Sequence, residues 1–171
     1  PSLSGTGKRA VDDQRVGLLV GEDRHVVGEG RHVVGLDRFN LPLLRACRPD
    51  ARFHQVLAHR YLRDLKHHEF STMLDEAECI LRESPYPLDA IVGYWDFPVT
   101  ALVALLRRRF GLPCTPLESL LKCEHKYWSR REQAAAVPSV TPRFCAVDPY
   151  DEAAIEAIDL PYPFWIKPVK S

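Results

Sequence analysis

Short, largely apolar runs alternate with helical segments through residue 112, and this alternation constrains the fold more than any other feature of the chain. Val16–Gly21 and Leu88–Gly93 are runs of the kind that buried strands of a parallel sheet require. Phe53–Leu57 is a further candidate strand. Because strands that alternate with helices form layered domains, the pattern predicts an α/β fold with a parallel sheet.

Three helices are predicted between these strands. Phe39–Cys47 predicts a short helix, residues 62–82 predict a long one, and Pro98–Phe110 predicts a third with Asp96 as its N-cap. The arginines at 107–109 fall in the last turn of the third helix, where cations suit the helix dipole, so a solvated helix end is favoured over a nucleic-acid contact. The long helix has one apolar face, formed by Phe70, Met73, Leu74, Ala77, Ile80 and Leu81.

Two features near the start of the chain lie outside this alternation. Residues 1–14 are small, polar and charged, which predicts a flexible leader. Arg24–Gly28 recurs as Arg31–Gly35, and this local echo predicts a short hairpin made by a slipped duplication. One repeat of this length is too little for a solenoid.

The character of the chain changes near residue 113. Thr115–Glu118 has the pattern of a capping box with proline at the first helical position, and it predicts a helix that runs to about Ala136. Arg143–Val147 predicts a strand, residues 148–158 predict a short helix, and residues 162–167 predict a final strand. A helix, a strand, a short helix and a strand predict a small α+β domain.

Composition excludes several classes of function. Lysine plus arginine and aspartate plus glutamate balance at 23 each, so no global field favours nucleic acid or an anionic membrane, and any anion site must be local. The five cysteines are widely spaced without a CxxC pair, which indicates free thiols in a reducing cytoplasm. No apolar run approaches the ~18 residues that span a bilayer. A homodimer is compatible with this composition.

Two lysines stand out by their context. Lys126 lies in a predicted helix among polar and aromatic residues, and Lys167 ends the apolar, aromatic run at 162–166 and precedes Pro168. A lysine is a compact charge that suits a phosphate oxygen. Two such side chains from separate segments could hold a polyphosphate and offset its charge as a phosphoryl group leaves.

The combination of these segments resembles the ATP-grasp superfamily, particularly its biotin-carboxylase-like and carboxylate–amine ligase branch. In that family an α/β domain precedes the grasp, a helix then carries an Asp-Lys-like pair, and a lysine-proline strand follows. The resemblance implies a Rossmann-like pre-ATP-grasp domain at 15–112 and the incomplete start of an α+β ATP-grasp domain at 113–171. The matching segments are Leu88–Asp96, Phe110–Pro113, His125–Arg130, Val137–Pro142 and Tyr162–Pro168.

The resemblance also implies site residues. Lys126 and Lys167 would contact ATP phosphates, and Lys170 and Ser171 would open the flexible loop that covers those phosphates. His125 departs from the family pattern, because an aspartate is common before the helical lysine. Magnesium would accompany ATP, with its ligands expected beyond residue 171. No carboxylates in the sequence have metal-ligand spacing, so neither metal nor catalytic residues are assigned.

The chemistry that the resemblance implies has two steps. ATP phosphorylates a small carboxylate to an acyl phosphate, and an amine then displaces the phosphate. The fragment alone is expected to be inactive, because most of the cleft would lie further along the chain. The alternative is a non-catalytic, flavodoxin-like ligand-binding or regulatory module, with Glu22 and Asp23 as a phospho-acceptor site.

Tyr94 and Trp95 are candidate substrate residues. They follow the predicted strand Leu88–Gly93 at its carboxyl end, where open α/β sheets bind ligands. Asp96 beside them is interpreted as a helix cap.

Overall fold

The computed structural model describes residues 29–169. They divide into two compact units, with the division between Cys114 and Thr115, and each unit is described by itself. The predicted leader, the predicted strand Val16–Gly21 and the first copy of the echo lie outside the described residues.

The first unit contains a three-stranded parallel sheet in the order β2-β1-β3. The strands are β1 (Glu29–Val34), β2 (Ala51–Val56) and β3 (Ala90–Val92). His32 of β1 lies opposite His54 of β2 and Ile91 of β3. Because all three strands run in one direction, their carboxyl ends meet at one edge of the sheet. The predicted mixed α/β class with a parallel sheet is confirmed.

Four helices of the described first unit connect or follow these strands. They are α1 (Asn40–Cys47), α2 (His59–Leu62), α3 (Phe70–Glu83) and α4 (Val99–Arg109). The predicted apolar face of α3 is confirmed, since Met73, Leu74, Ala77 and Leu81 are buried. They join one core with Val34, Val56 and Ile91 of the three strands and with Val99, Leu102 and Leu106 of α4.

The hairpin predicted from the echo is wrong for the residues described. The second copy, Arg31–Gly35, lies mostly in β1, which is the central strand and is parallel to both neighbours. Val33 and Val34 are fully buried, and Gly30 approaches the loop before β3 so closely that an added Cβ would lie 2.1 Å from the Pro87 carbonyl oxygen. Burial and close packing therefore select a sheet strand over a local turn.

The long helix predicted over residues 62–82 is also wrong at its start. The chain leaves α2 at Leu62 and enters α3 only at Phe70. The turn between them is held locally, because Asp64 Oδ1 lies 2.6 Å from His67 Nδ1 and the His68 ring packs 4.0 Å from that of Tyr61. Polar residues thus satisfy one another in a turn where helical periodicity alone predicted a helix.

Helix α4 forms where predicted, but the predicted Asp96 N-cap is wrong. The helix begins at Val99, and the Asp96 backbone carbonyl, not its carboxylate, accepts the Val99 N–H at 2.9 Å. The arginines do occupy the last turn. Two of them make contacts within the unit: Arg107 Nε donates to the Ile91 carbonyl at 2.6 Å, and Arg109 pairs with Glu78.

The second unit contains short helices. They are α5 (Leu117–Glu124), α6 (Lys126–Ala136), a 3-10 turn (Pro138–Val140) and α7 (Glu152–Glu156). The single helix predicted to Ala136 is interrupted at His125, and the Thr115 capping box is wrong because α5 begins after Pro116 without a side-chain cap. The predicted short helix is confirmed as α7, with Asp151 accepting the N–H groups of Ala153 and Ala154.

The two strands predicted for the second unit are wrong within the described residues. Neither Arg143–Val147 nor residues 162–167 form a strand, and both segments are irregular. Trp165 and Ile166 are 91% and 75% exposed, so these two side chains lack the packed face that a strand needs. An apolar strand forms only where a neighbouring strand and a packed face are present.

Candidate functional site

At the carboxyl edge of the sheet in the first unit, backbone turns follow two of the strands. β1 and β2 are each followed by a residue with positive φ, Gly35 at +79° and Leu57 at +58°. Positive φ is unusual for a leucine and costs energy, and such conformations cluster at ligand-binding positions. Both turns lie at the carboxyl edge of the sheet, where the chain leaves β1 and β2.

Trp95 lies over the end of β1 because Gly35 leaves room for it. A Cβ at Gly35 would approach Trp95 Cδ1 to 3.2 Å and Leu62 Cδ1 to 3.1 Å. The indole stacks on the His59 imidazole, with ring centroids 4.1 Å apart and planes 17° from parallel. Trp95 remains 38% exposed, so the stack leaves part of its surface accessible.

Tyr94 connects this aromatic group to a carboxylate. Its hydroxyl lies 3.2 Å from the Gly35 carbonyl oxygen and 3.4 Å from Asp37 Oδ2. Burial and, after it, the charge of Asp37 raise the pKa of the Tyr94 hydroxyl above its usual value. The phenol therefore stays protonated and acts as a donor at this edge.

Asp37 is held by the start of α1. Its Oδ1 accepts the backbone N–H groups of Phe39 at 2.9 Å and Asn40 at 2.7 Å, while Oδ2 accepts the Asn40 side-chain amide at 2.8 Å. Burial acts to raise the pKa of Asp37, but the hydrogen bonds from Asn40 and Phe39 and the nearby His59 together bring it below its usual value. The carboxylate is therefore ionised at neutral pH.

In the second unit, Lys126 is the first residue of α6. His125 precedes it as the N-cap: its Nδ1 accepts the Trp128 N–H at 3.3 Å, and the two rings stack with centroids 4.4 Å apart. An N-cap needs a side-chain acceptor, which a histidine nitrogen can supply as an aspartate oxygen does. His125 therefore caps α6 with its ring nitrogen.

The structure brings the segments of the two predicted phosphate-binding lysines together. The Lys126 backbone N–H donates to the Val169 carbonyl at 2.9 Å, two residues after Lys167. Lys167 is exposed and Lys126 is half-buried. Lys170 and Ser171, the other two predicted phosphate-binding residues, lie outside the described residues.

A neighbouring lysine is engaged differently. Lys122 Nζ lies 3.2 Å from carboxylate oxygens of both Glu118 and Glu132. Hydrogen bonds to Glu118 and then Glu132 raise the pKa of Lys122 above its usual value. Its charge is balanced by carboxylates, which makes it a poor phosphate ligand.

No group of three or more histidine, cysteine, aspartate or glutamate side chains among residues 29–169 could hold a metal ion. Within the same range every helix is too short or too polar to cross a membrane.

Sequence reasoning found Tyr94 and Trp95 at the sheet edge but missed Asp37 and His59. The sequence does contain a signal for Asp37, since Asp37 is a polar residue that follows the apolar run at Val33–Gly35. Because the apolar run was predicted to be half of a hairpin, Asp37 was not predicted to lie at the edge of the sheet. His59 carried no signal of its own, since only the fold brings the end of β2 beside Trp95.

The chain was compared with protein-family models, curated proteins and solved structures, and none of the three comparisons returned a match.

Proposed function

We propose that this chain is the N-terminal part of an ATP-dependent ligase of the ATP-grasp kind, which activates a small carboxylate for attack by an amine. Residues 15–112 would be the Rossmann-like pre-ATP-grasp domain, and residues 113–171 the start of the ATP-grasp domain. The division of the structure between Cys114 and Thr115 supports this arrangement. The lysine-proline segment, a strand in the ATP-grasp family, is irregular in this chain, so the proposal rests on the place of Lys167 beside the Lys126 segment and not on strand geometry.

The observation that carries the proposal is the hydrogen bond between the Lys126 N–H and the Val169 carbonyl. It joins two segments that are far apart in sequence and that each contribute one of the lysines in the resemblance. Two ammonium groups on adjoining segments suit a polyphosphate, which carries several negative charges on neighbouring oxygens. Lys122, paired with two glutamates, is not part of this pair.

The proposed reaction balances in two steps. A carboxylate oxygen attacks the γ-phosphorus of ATP, the bond to the β-phosphate oxygen breaks, and ADP leaves. The amine nitrogen then attacks the acyl carbon of the acyl phosphate, inorganic phosphate leaves, and the nitrogen loses a proton as the amide forms. Lys126 and Lys167 would bind the phosphates and stabilise the charge that develops on the leaving oxygen.

The regulatory-module alternative has less support. Its candidate phospho-acceptors, Glu22 and Asp23, lie outside the described residues. It also gives no role to the contact between the segments of Lys126 and Lys167.

The experiment is a calorimetric titration of MgATP into the full-length gene product and its Lys126→Ala and Lys167→Ala variants. We expect each substitution to weaken ATP binding by about tenfold or more, because each removes a charge-assisted contact of roughly 1.5–3 kcal/mol. Lys66→Ala is the matched control, since Lys66 is an exposed lysine of the first unit and should leave the affinity unchanged.

An unchanged thermal unfolding midpoint in each variant would show that the loss is local. If the wild type binds no ATP, or if Lys126→Ala and Lys167→Ala bind it as tightly as Lys66→Ala does, the proposed function is wrong.

A further inference from the structure

The carboxyl edge of the sheet combines exposed aromatic surface with an ionised carboxylate. Tyr94 and Trp95 are 41% and 38% exposed, and their rings lie 5.6 Å apart and tilted by 43°. The Tyr94 hydroxyl lies within 3.4 Å of Asp37 Oδ2. An aromatic surface next to a carboxylate is the chemistry that recognises an organic cation, because both groups attract positive charge.

Asp37 has acceptor capacity left for a ligand. A carboxylate offers about four lone-pair directions. The two backbone N–H groups occupy Oδ1, and the Asn40 amide occupies one direction of Oδ2. The Tyr94 hydroxyl has one proton, which it shares between Gly35 at 3.2 Å and Oδ2 at 3.4 Å, so the last direction of Oδ2 is only weakly used.

Asp37 lies near His59, whose charge helps to lower the pKa of the carboxyl group. Among residues 29–169, no lysine or arginine forms an ion pair with it. The neighbouring His59 imidazole is stacked on Trp95. A bound cation would therefore meet a carboxylate that is already ordered by α1.

We infer that Asp37, Tyr94 and Trp95 form a binding site for a small organic cation. This cation consists of a primary ammonium group attached to an apolar carbon chain. The ammonium donates to Asp37 Oδ2, and the carbon chain lies on the rings of Tyr94 and Trp95. An anion is disfavoured, since the ionised Asp37 would repel it. A metal ion is disfavoured as well, because a single carboxylate is a poor ligand set for one.

This inference deepens the proposed function, and the role of the cation site rests on that function. In the ligase, the carboxyl edge of the sheet would bind the amine and not the carboxylate. The bound ammonium must lose its proton before it attacks an acyl phosphate. Asp37 is a weak base, since its hydrogen bonds stabilise the ionised form. Asp37 is therefore a binding residue, and another group or water accepts the proton.

The test uses butylammonium chloride as the probe, followed by the indole N–H resonance of Trp95 in two-dimensional NMR spectra at constant ionic strength without ATP. We expect a saturable shift with half-saturation in roughly the millimolar range, as suits a ligand with few atoms. Neutral 1-butanol and anionic sodium butyrate have the same carbon chain and should give no saturable shift.

Asp37→Asn is the informative variant, because its amide oxygen can still accept the N–H groups of Phe39 and Asn40 while the charge is removed. We expect butylammonium to bind it about tenfold more weakly. Asp75→Asn, at an exposed aspartate of α3, is the matched control and should bind as the wild type does. Tyr94→Leu removes one ring and should weaken binding about threefold.

The inference is overturned if butylammonium gives no shift at Trp95, if butyrate or butanol shifts it equally, or if Asp37→Asn and Asp75→Asn bind alike. Should Asp37→Asn fail to fold, the three probes on the wild type and the Tyr94→Leu variant still decide the question. If butylammonium does not bind as expected, the result of the MgATP titration is unaffected. If the MgATP titration contradicts the proposed function, the cation site remains but has no role in a ligase.

Discussion

The two units differ in how their described residues are stabilised. The first unit has a core of fully buried side chains drawn from all three strands and from α3 and α4. In the second unit, no side chain of residues 115–169 is buried to that degree. Its helices are instead fixed by caps and local hydrogen bonds, such as those of His125 and Asp151.

This difference indicates where each unit gains its free energy of folding and which unit a bound ligand can order most. Apolar burial contributes about 25 cal/mol per Å², so the first unit gains most of its free energy of folding from its own core. Caps and exposed ion pairs contribute about 1 kcal/mol or less each. The second unit is therefore the one whose order a bound ligand can raise most.

The largest expected effect comes from the core of the first unit. Leu102→Ala removes a side chain that is 0% exposed and should lower the free energy of unfolding by about 2–5 kcal/mol, because it leaves a cavity. Leu121→Ala, at a half-buried position of α5, is the matched substitution in the second unit and should cost less than about 1 kcal/mol. Urea denaturation measures both. Equal losses would contradict the contrast between the units.

The second prediction concerns pH and the buried His32. Burial, and next the neighbouring His54, lower the pKa of His32 from 6.5 to about 4, against an opposing effect of Asp89. The unfolded chain takes up this proton near pH 6.5 and the folded chain only near pH 4, so stability falls as the pH falls through that window. The loss from this group should reach up to about 3 kcal/mol.

Unfolding midpoints between pH 7 and pH 4 test this contribution. In His32→Gln the fall in stability across the window should be smaller than in the wild type. Thr72→Ala, which changes an exposed side chain of the same unit that does not titrate, should leave the slope as it is. If the His32→Gln and wild-type profiles run parallel, His32 does not cause the acid sensitivity.

The third prediction tests the close approach inside the sheet. In Gly30→Ala the new Cβ would lie 2.1 Å from the Pro87 carbonyl oxygen, so the loop before β3 must move. We expect a loss of about 1–3 kcal/mol in the free energy of unfolding. Gly111→Asn is the control, because Gly111 has φ +68° with open space around it and asparagine tolerates that conformation. A neutral Gly30→Ala would mean that this contact is loose.

The smallest effect is expected in the second unit. His125→Ala removes the N-cap of α6 and should cost about 1 kcal/mol of local stability, whereas His125→Asp keeps an acceptor and should cost little. Hydrogen exchange at the Trp128 amide, which His125 caps, reports this directly. Equal exchange in the two variants would show that the cap contributes nothing.

Much of the first unit could be predicted from the sequence because its signals are local. The apolar face of α3 and the run at Ala90–Val92 reflect burial periodicity, which a single chain displays. The central position of β1 could not be predicted in this way. Val33 and Val34 read equally well as half of a hairpin, and only contact with β2 and β3 decides between the two.

The second unit was less predictable for the same physical reason. Arg143–Val147 and residues 162–167 have strand-like composition, but a strand needs a partner and a packed face, and composition carries neither. The candidate site shows the same limit. Tyr94 and Trp95 were found from their place after a strand, whereas Asp37 and His59 enter the site through the convergence of three strand ends.

Native-state hydrogen exchange of the full-length protein, with and without MgATP, tests the central claim most directly. We predict that amides of α4 and β3 exchange slowly in both conditions, and that MgATP slows exchange at Lys126 and across residues 162–169. The reason is that phosphate binding would order the two lysine segments joined by the Lys126–Val169 hydrogen bond. Unchanged exchange in those segments at saturating MgATP would contradict the account.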